Sequence, residues 1–238
     1  MKKYISLFIG LFVFIGFSQE KYIGDGPYKQ LIIRGVTLIN GDGSPPKGPV
    51  DIVVENNLIV DIKSVGYPGI EIKDSWRPKL KKGGFELDAN GMYLLPGFVD
   101  MHGHIGGTAQ GADYDYVFRL WMAHGITTIR EPGGRGVDWA VNLKKLSAEN
   151  KIVAPRIIAY TSFGQTGKNF NPLNDLPIST PEMARTWVRA NAKKGADGIK
   201  FFGAEPEIME AALDENKKLG LGSAMHHAQL SVARWNVL

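Results

Sequence analysis

The sequence predicts an α/β protein made of two unlike stretches: a small β-sheet region, then alternating strands and helices of the kind that build a parallel sheet. Three observations carry this. From Tyr28 to about Asn90, short runs of β-branched and apolar residues are separated by turn residues. From Tyr93 onward the rhythm becomes strand, loop and helix, repeated. The 238 residues are 44% hydrophobic, enough to bury a substantial core.

In the first stretch, Leu31 to Ile39 has the composition of a strand and ends at the turn Asn40-Gly41-Asp42-Gly43. Val50 to Val54 and Leu58 to Ile62 flank Glu55-Asn56-Asn57, where asparagine tolerates the positive φ of a tight hairpin. Glu86-Leu87-Asp88 is a further short strand before Asn90-Gly91. Residues 19–92 are therefore expected to form an antiparallel sheet region, a β-sandwich portion too small to stand comfortably alone.

In the second stretch, residues 93–238, the expected strands are Tyr93–His102, Gly125–Ile129, Arg156–Tyr160, Gly198–Phe202 and Leu221–His226. The clearest helix has Thr180 as N-cap and Pro181 at its first position. Met183, Ala184, Trp187, Val188 and Ala192 form its apolar stripe, and Gly195 ends it. Another runs from about Pro206 to Leu219 and stops at Gly220; a third carries Val117, Leu120 and Trp121 and stops at Gly125. His124 reads as a cap of that helix. This alternation implies either a (β/α)8 barrel or a doubly wound sheet. A complete barrel takes about 250 residues and eight units, and about five are present, so the chain reads as a fragment ending inside a helix.

The first eighteen residues read as an export signal. Lys2 and Lys3 precede the apolar run Ile5 to Phe17, and Gly16 and Ser18 supply the small residues for cleavage before Gln19. The run is short for a bilayer span of about 20 residues, so cleavage and release to a periplasm or the medium are expected rather than a stable membrane anchor. The net charge of +4 is scattered, with no basic stripe interleaved with aromatics, which excludes nucleic acid as a partner. There are no cysteines, which excludes disulfides, thiol catalysis and zinc knuckles.

The chemistry-bearing signal is Pro96-Gly97-Phe98-Val99-Asp100-Met101-His102-Gly103-His104. An apolar strand delivers two histidines one residue apart, and strand residues i and i+2 share a face, so two imidazoles are presented together as half a metal site. Asp100 is expected to orient one of them. Pro132-Gly133-Gly134-Arg135-Gly136 fits no phosphate loop or dinucleotide fingerprint and reads as a flexible turn.

This motif, with Leu31–Gly43, Val53-Val54-Glu55, Leu58–Ile62, Asp88–Leu95 and Gly125–Glu131, resembles the amidohydrolase superfamily. The resemblance runs from about Leu31 to the end, interrupted by an atypical insert near Asp74 to Gly84. It implies a (β/α)8 TIM-type barrel carrying one or two divalent metals, zinc by ligand type. His102 and His104 match the first-strand ligands, Lys200 the fourth-strand lysine that some members carbamylate, and one of His226 and His227 the fifth-strand histidine, with His226 favoured by alignment. The family's sixth-strand histidine and eighth-strand aspartate, the usual general base, have no counterpart before Leu238. Arg130, Glu131 and Tyr160, at the ends of the second and third strands, are candidates to contact a small-molecule substrate, with structural roles at the rim as the alternative. The implied activity is hydrolysis of amide-like, cyclic amide or dipeptide carbon–nitrogen bonds by metal-activated water, nearest to imidazolonepropionase- or Xaa-Pro dipeptidase-like members. The alternatives are a catalytically incomplete metal-binding fragment and an exported binding module.

Overall fold

The computed structural model describes residues 25–106, 111–164 and 178–225. The first region is one five-stranded sheet. β1 (Gln30–Leu38), β2 (Lys47–Glu55), β3 (Leu58–Ser64) and β4 (Phe85–Asp88) lie in the order β3-β2-β1-β4, and β5 (Tyr93–Leu94) also pairs with β1. The β2–β3 hairpin turns on Asn56 and Asn57 at φ 47° and 68°, the left-handed conformation their side chains tolerate. The sheet is mixed rather than antiparallel, because β4 and β5 run parallel to β1. The insert between β3 and β4, with a 3-10 turn at Asp74–Trp76, returns the chain to the starting end of β1. A buried ion pair pins this sheet: Arg34 meets Asp51 at 2.8 Å, and Asp51 also accepts the Gly35 N–H.

The predicted strand over 93–102 is two elements. Tyr93–Leu94 belongs to the first sheet, and β6 (Phe98–Asp100) opens the second. Pro96 and Gly97 break the run; Gly97 has no room for a Cβ, which would lie 2.0 Å from the Thr127 Oγ1. The second sheet continues with β7 (Ile126–Glu131), β8 (Arg156–Phe163), β9 (Gly198–Phe201) and β10 (Gly222–Met225). All are parallel and in sequence order, joined by α1 (Tyr114–Ala123), α2 (Val137–Ala148), α3 (Pro181–Lys194) and α4 (Pro206–Lys218). This is the partial (β/α)8 arrangement, five strands with their crossover helices.

Helix burial decides which strand face is which. Phe163, Ile199 and Phe201 pack with Trp187, Val188, Met209 and Ala212 of α3 and α4. Ile129 and Ile157 pack with Phe118 of α1 and Leu143 of α2. Because side chains alternate, Arg130, Tyr160, Ser162 and Lys200 project from the opposite, inner face. Helix α3 is capped as its sequence requires: Thr180 accepts the Met183 N–H, Pro181 opens the helix, and Gly195 closes it at φ 100°. Its buried stripe includes Asn191 in place of Ala192, and the Asn191 Nδ2 donates to the Trp187 carbonyl at 2.9 Å.

Between α3 and α4, Arg189 meets the nearly buried Glu215 at 2.7 Å, and Arg185 contacts both Glu215 and Asp214. The hydrogen bond from Arg189 holds the Glu215 carboxyl below the ordinary glutamate value. A lowered carboxyl contributes stability that is fully present above its unfolded value and lost as pH falls through its folded one. The stability of the chain should therefore fall more steeply below about pH 4.5 than that of Glu215→Gln. Urea midpoints measured from pH 7 to 3 test this; parallel curves for the two proteins would contradict it.

Candidate metal and substrate site

His102 and His104 lie at the carboxyl end of β6, in the turn beyond it rather than on the strand. Strand alternation therefore does not pair them; the turn does. Asp100 accepts the His102 N–H at 2.8 Å, closing an Asx-type turn, and the Gly103 N–H donates to the Arg130 carbonyl at 3.1 Å. The two rings stand 5.2 Å apart, centroid to centroid, with their planes at 70°. Two imidazoles sharing one tetrahedral zinc have centroids about 5 Å apart, so the observed spacing fits a common ion. Among the described residues no group of three or more His, Cys, Asp or Glu side chains could hold a metal ion. His226 lies outside the described residues.

Glu131 is the hub of this turn. It is only 1% exposed. One carboxylate oxygen accepts the Ile105 N–H at 2.7 Å; the other accepts the Gly133 and Gly134 N–H groups at 3.0 and 2.7 Å and faces His104 Nδ1 at 3.3 Å. Burying a carboxylate costs several kcal/mol unless donors replace its water, and these donors do so. The sequence offers Glu131 as a substrate contact; the structure engages its oxygens within the protein. The Gly133-Gly134 run, read from sequence as a flexible turn, is a fixed one that brings two N–H groups to a carboxylate. A Cβ on Gly133 would meet Ser162 backbone at 2.7 Å, and one on Gly134 would lie 2.9 Å from His104 Nδ1.

Lys200 projects from the middle of β9, 5% exposed. Its Nζ lies 5.8 Å from the Phe202 ring centroid, and among the described residues no carboxylate reaches it. Loss of hydration, then the positive charge of Arg130, hold its ammonium below the ordinary lysine value. His102 is likewise lowered, by loss of hydration first and then by Lys200, His104 and Arg130, with Asp100 opposing. The Arg130 charge thus bears on both Lys200 and His102, and the Lys200 charge on His102.

Arg130 lies against the Tyr160 ring, 5.3 Å from its centroid, and its buried Nε has no acceptor among the described residues. The sequence puts Tyr160 at the strand end, but β8 runs on to Phe163, so Tyr160 sits mid-sheet and 8% exposed. Its ring lies across Gly198 and Gly222, where added Cβ atoms would fall 2.3 Å from Cζ and 2.0 Å from the hydroxyl. It is a platform for Arg130 rather than a rim group. His124 caps α1, its Nδ1 2.8 Å from the Leu120 carbonyl, as expected.

No family model matches the chain. It is 33% identical over 171 residues to an adenine deaminase 2 of Desulfotalea psychrophila (strain LSv54 / DSM 12343), covering 65% of this chain and 28% of that protein. It is 36% identical over 76 residues to a dihydroorotase of Thermoanaerobacter sp. (strain X514), covering 32% of this chain and 14% of that one. Among solved structures, a Xaa-Pro dipeptidase with methionine bound in its active site superposes with a TM-score of 0.62 at 24% identity, over 87% of this chain and 59% of that chain. The chain thus spans less than a third of either curated relative and somewhat over half of the dipeptidase.

The two glycines after Pro132 should respond differently to a methyl group. Gly133→Ala must place Ala at φ near 94° against Ser162 backbone, and should cost about 1–3 kcal/mol. Gly134→Ala needs no positive φ and meets side-chain atoms only, of which the His104 ring can turn aside, so it should cost less than Gly133→Ala while turning that ring. Denaturation midpoints and histidine NMR shifts check this; equal losses of stability would contradict it.

Proposed function

We propose that the chain is the front part of an amidohydrolase-type enzyme and carries the front half of a metal-dependent hydrolytic site acting on carbon–nitrogen bonds, a reading supported by its similarity to an adenine deaminase and a dihydroorotase and by a fold shared with a Xaa-Pro dipeptidase. The substrate is a small molecule with an amide-like, cyclic amide or dipeptide bond. One observation carries the reading: two imidazoles at metal-sharing distance stand at the carboxyl ends of parallel strands, where this fold class places its chemistry.

His102 and His104 would hold a divalent cation, zinc by ligand type, with His226 as a third ligand. When bound, such a cation polarises a carbonyl and lowers the pKa of water toward neutrality. Lys200 supplies a further ligand as a carbamate: its neutral amine attacks carbon dioxide, forming an N–C bond and releasing a proton to solvent. Burial without a carboxylate partner among the described residues favours that neutral amine. Arg130, propped on Tyr160, presents guanidinium donors to a carbonyl or carboxylate oxygen of the substrate. Glu131 takes no part in proton transfer, since its oxygens already accept backbone N–H groups. Export, with removal of residues 1–18, belongs to the same proposal and rests on Lys2, Lys3 and the apolar run after them. Among the described residues no helix is long and apolar enough to cross a membrane.

The test is metal content. The chain dialysed against zinc should retain it, and His102→Ala with His104→Ala should lose it, by elemental analysis of folded protein. Lys200→Ala should bind less metal, partly restored by a short carboxylic acid. Undiminished zinc in the double-histidine variant would overturn the assignment.

A further inference from the structure

We propose that Glu131 is a positioning residue for His104, holding the neutral imidazole in the tautomer with hydrogen on Nδ1 so that the Nε2 lone pair is left free. The purpose of this arrangement rests on the metal reading above, but the arrangement itself does not.

Three backbone N–H groups, from Ile105, Gly133 and Gly134, converge on the Glu131 carboxylate, and an ionised carboxylate has no hydrogen to give. His104 Nδ1 faces that same oxygen at 3.3 Å. The neutral ring has one N–H and one lone pair. The lone pair on Nδ1 would set two acceptors against each other beside a carboxylate that is 1% exposed; the hydrogen there gains a charge-assisted bond. Nδ1 therefore donates, and Nε2, across the ring, keeps its lone pair. The His104 side chain is 42% exposed, whereas the Glu131 side chain beside its Nδ1 is 1% exposed. Gly134 completes the device, because a Cβ there would crowd Nδ1 at 2.9 Å. Such an outer carboxylate fixes the ring orientation of a ligating histidine and raises its basicity.

The tautomer can be read without any metal. Long-range nitrogen–proton correlation spectra of the 15N-labelled chain at about pH 9, where imidazoles are neutral, should show His104 protonated on Nδ1, the signals assigned by their loss in His104→Gln. In Glu131→Gln the amide presents a donor as well as an acceptor, so the preference should be lost while the backbone amide spectrum is retained. Zinc affinity should then fall about 10–100-fold. His104 carrying its hydrogen on Nε2 in the unaltered chain, or an unchanged Nδ1–H tautomer in Glu131→Gln, would overturn the proposal. Should the variant fail to fold, the spectrum of the unaltered chain decides alone. An unaltered chain that binds no zinc but shows the Nδ1–H tautomer would defeat the metal reading and leave the positioning role standing.

Discussion

The arrangement at the mouth of the parallel sheet depends on one buried carboxylate. A glutamate taken out of water is costly unless every lone pair is answered, and Glu131 is answered by donors from two separate turns. The turn after β6 supplies Ile105 and His104; the turn after β7 supplies Gly133 and Gly134. Neither turn can move without exposing the charge or orphaning it. The conformation that brings His102 beside His104 is thus fixed by the need to solvate a carboxylate whose oxygens accept backbone N–H groups from both turns.

Beneath that turn, side-chain size on the inner face sets what can stand where. Glycines at positions 198 and 222 leave a trough across β9 and β10, and the Tyr160 ring fills it. Arg130 rests on that ring, and its charge falls on Lys200 and His102. The inner face thereby gathers cationic and imidazole groups, with no carboxylate among the described residues paired to Lys200 or Arg130. The outer face of the same strands is apolar and sealed by α3 and α4. One alternating pattern yields an apolar core on one side and a face carrying Arg130, Tyr160, Ser162 and Lys200 on the other.

Much of this was legible in the sequence, for identifiable reasons. The strands of the parallel sheet follow from β-branched runs, and α3 from Thr180, Pro181 and Gly195, because local chemistry fixes both ends of that helix. The nearness of His102 and His104 was legible, but its cause was not: spacing suggested a strand, whereas a turn closed by Asp100 makes the pair. The parallel pairing of β4 and β5 with β1 was hidden because strand direction depends on where an insert returns the chain, not on strand composition. The role of Glu131 was obscured by its neighbours. Two glycines following a glutamate look like a pliable loop, yet they are what lets backbone N–H groups reach its carboxylate. Tyr160 was misjudged in height because β8 continues to Phe163.

The central question is whether the paired imidazoles share an ion. Diffraction from crystals of the zinc-treated chain, recorded on both sides of the zinc absorption edge, addresses this directly. The account predicts an anomalous peak about 2.0–2.1 Å from a nitrogen of His102 and from Nε2 of His104, with Nδ1 of His104 still on Glu131. A zinc-treated crystal with no peak between those rings, or with zinc bound through Nδ1 of His104, would contradict it.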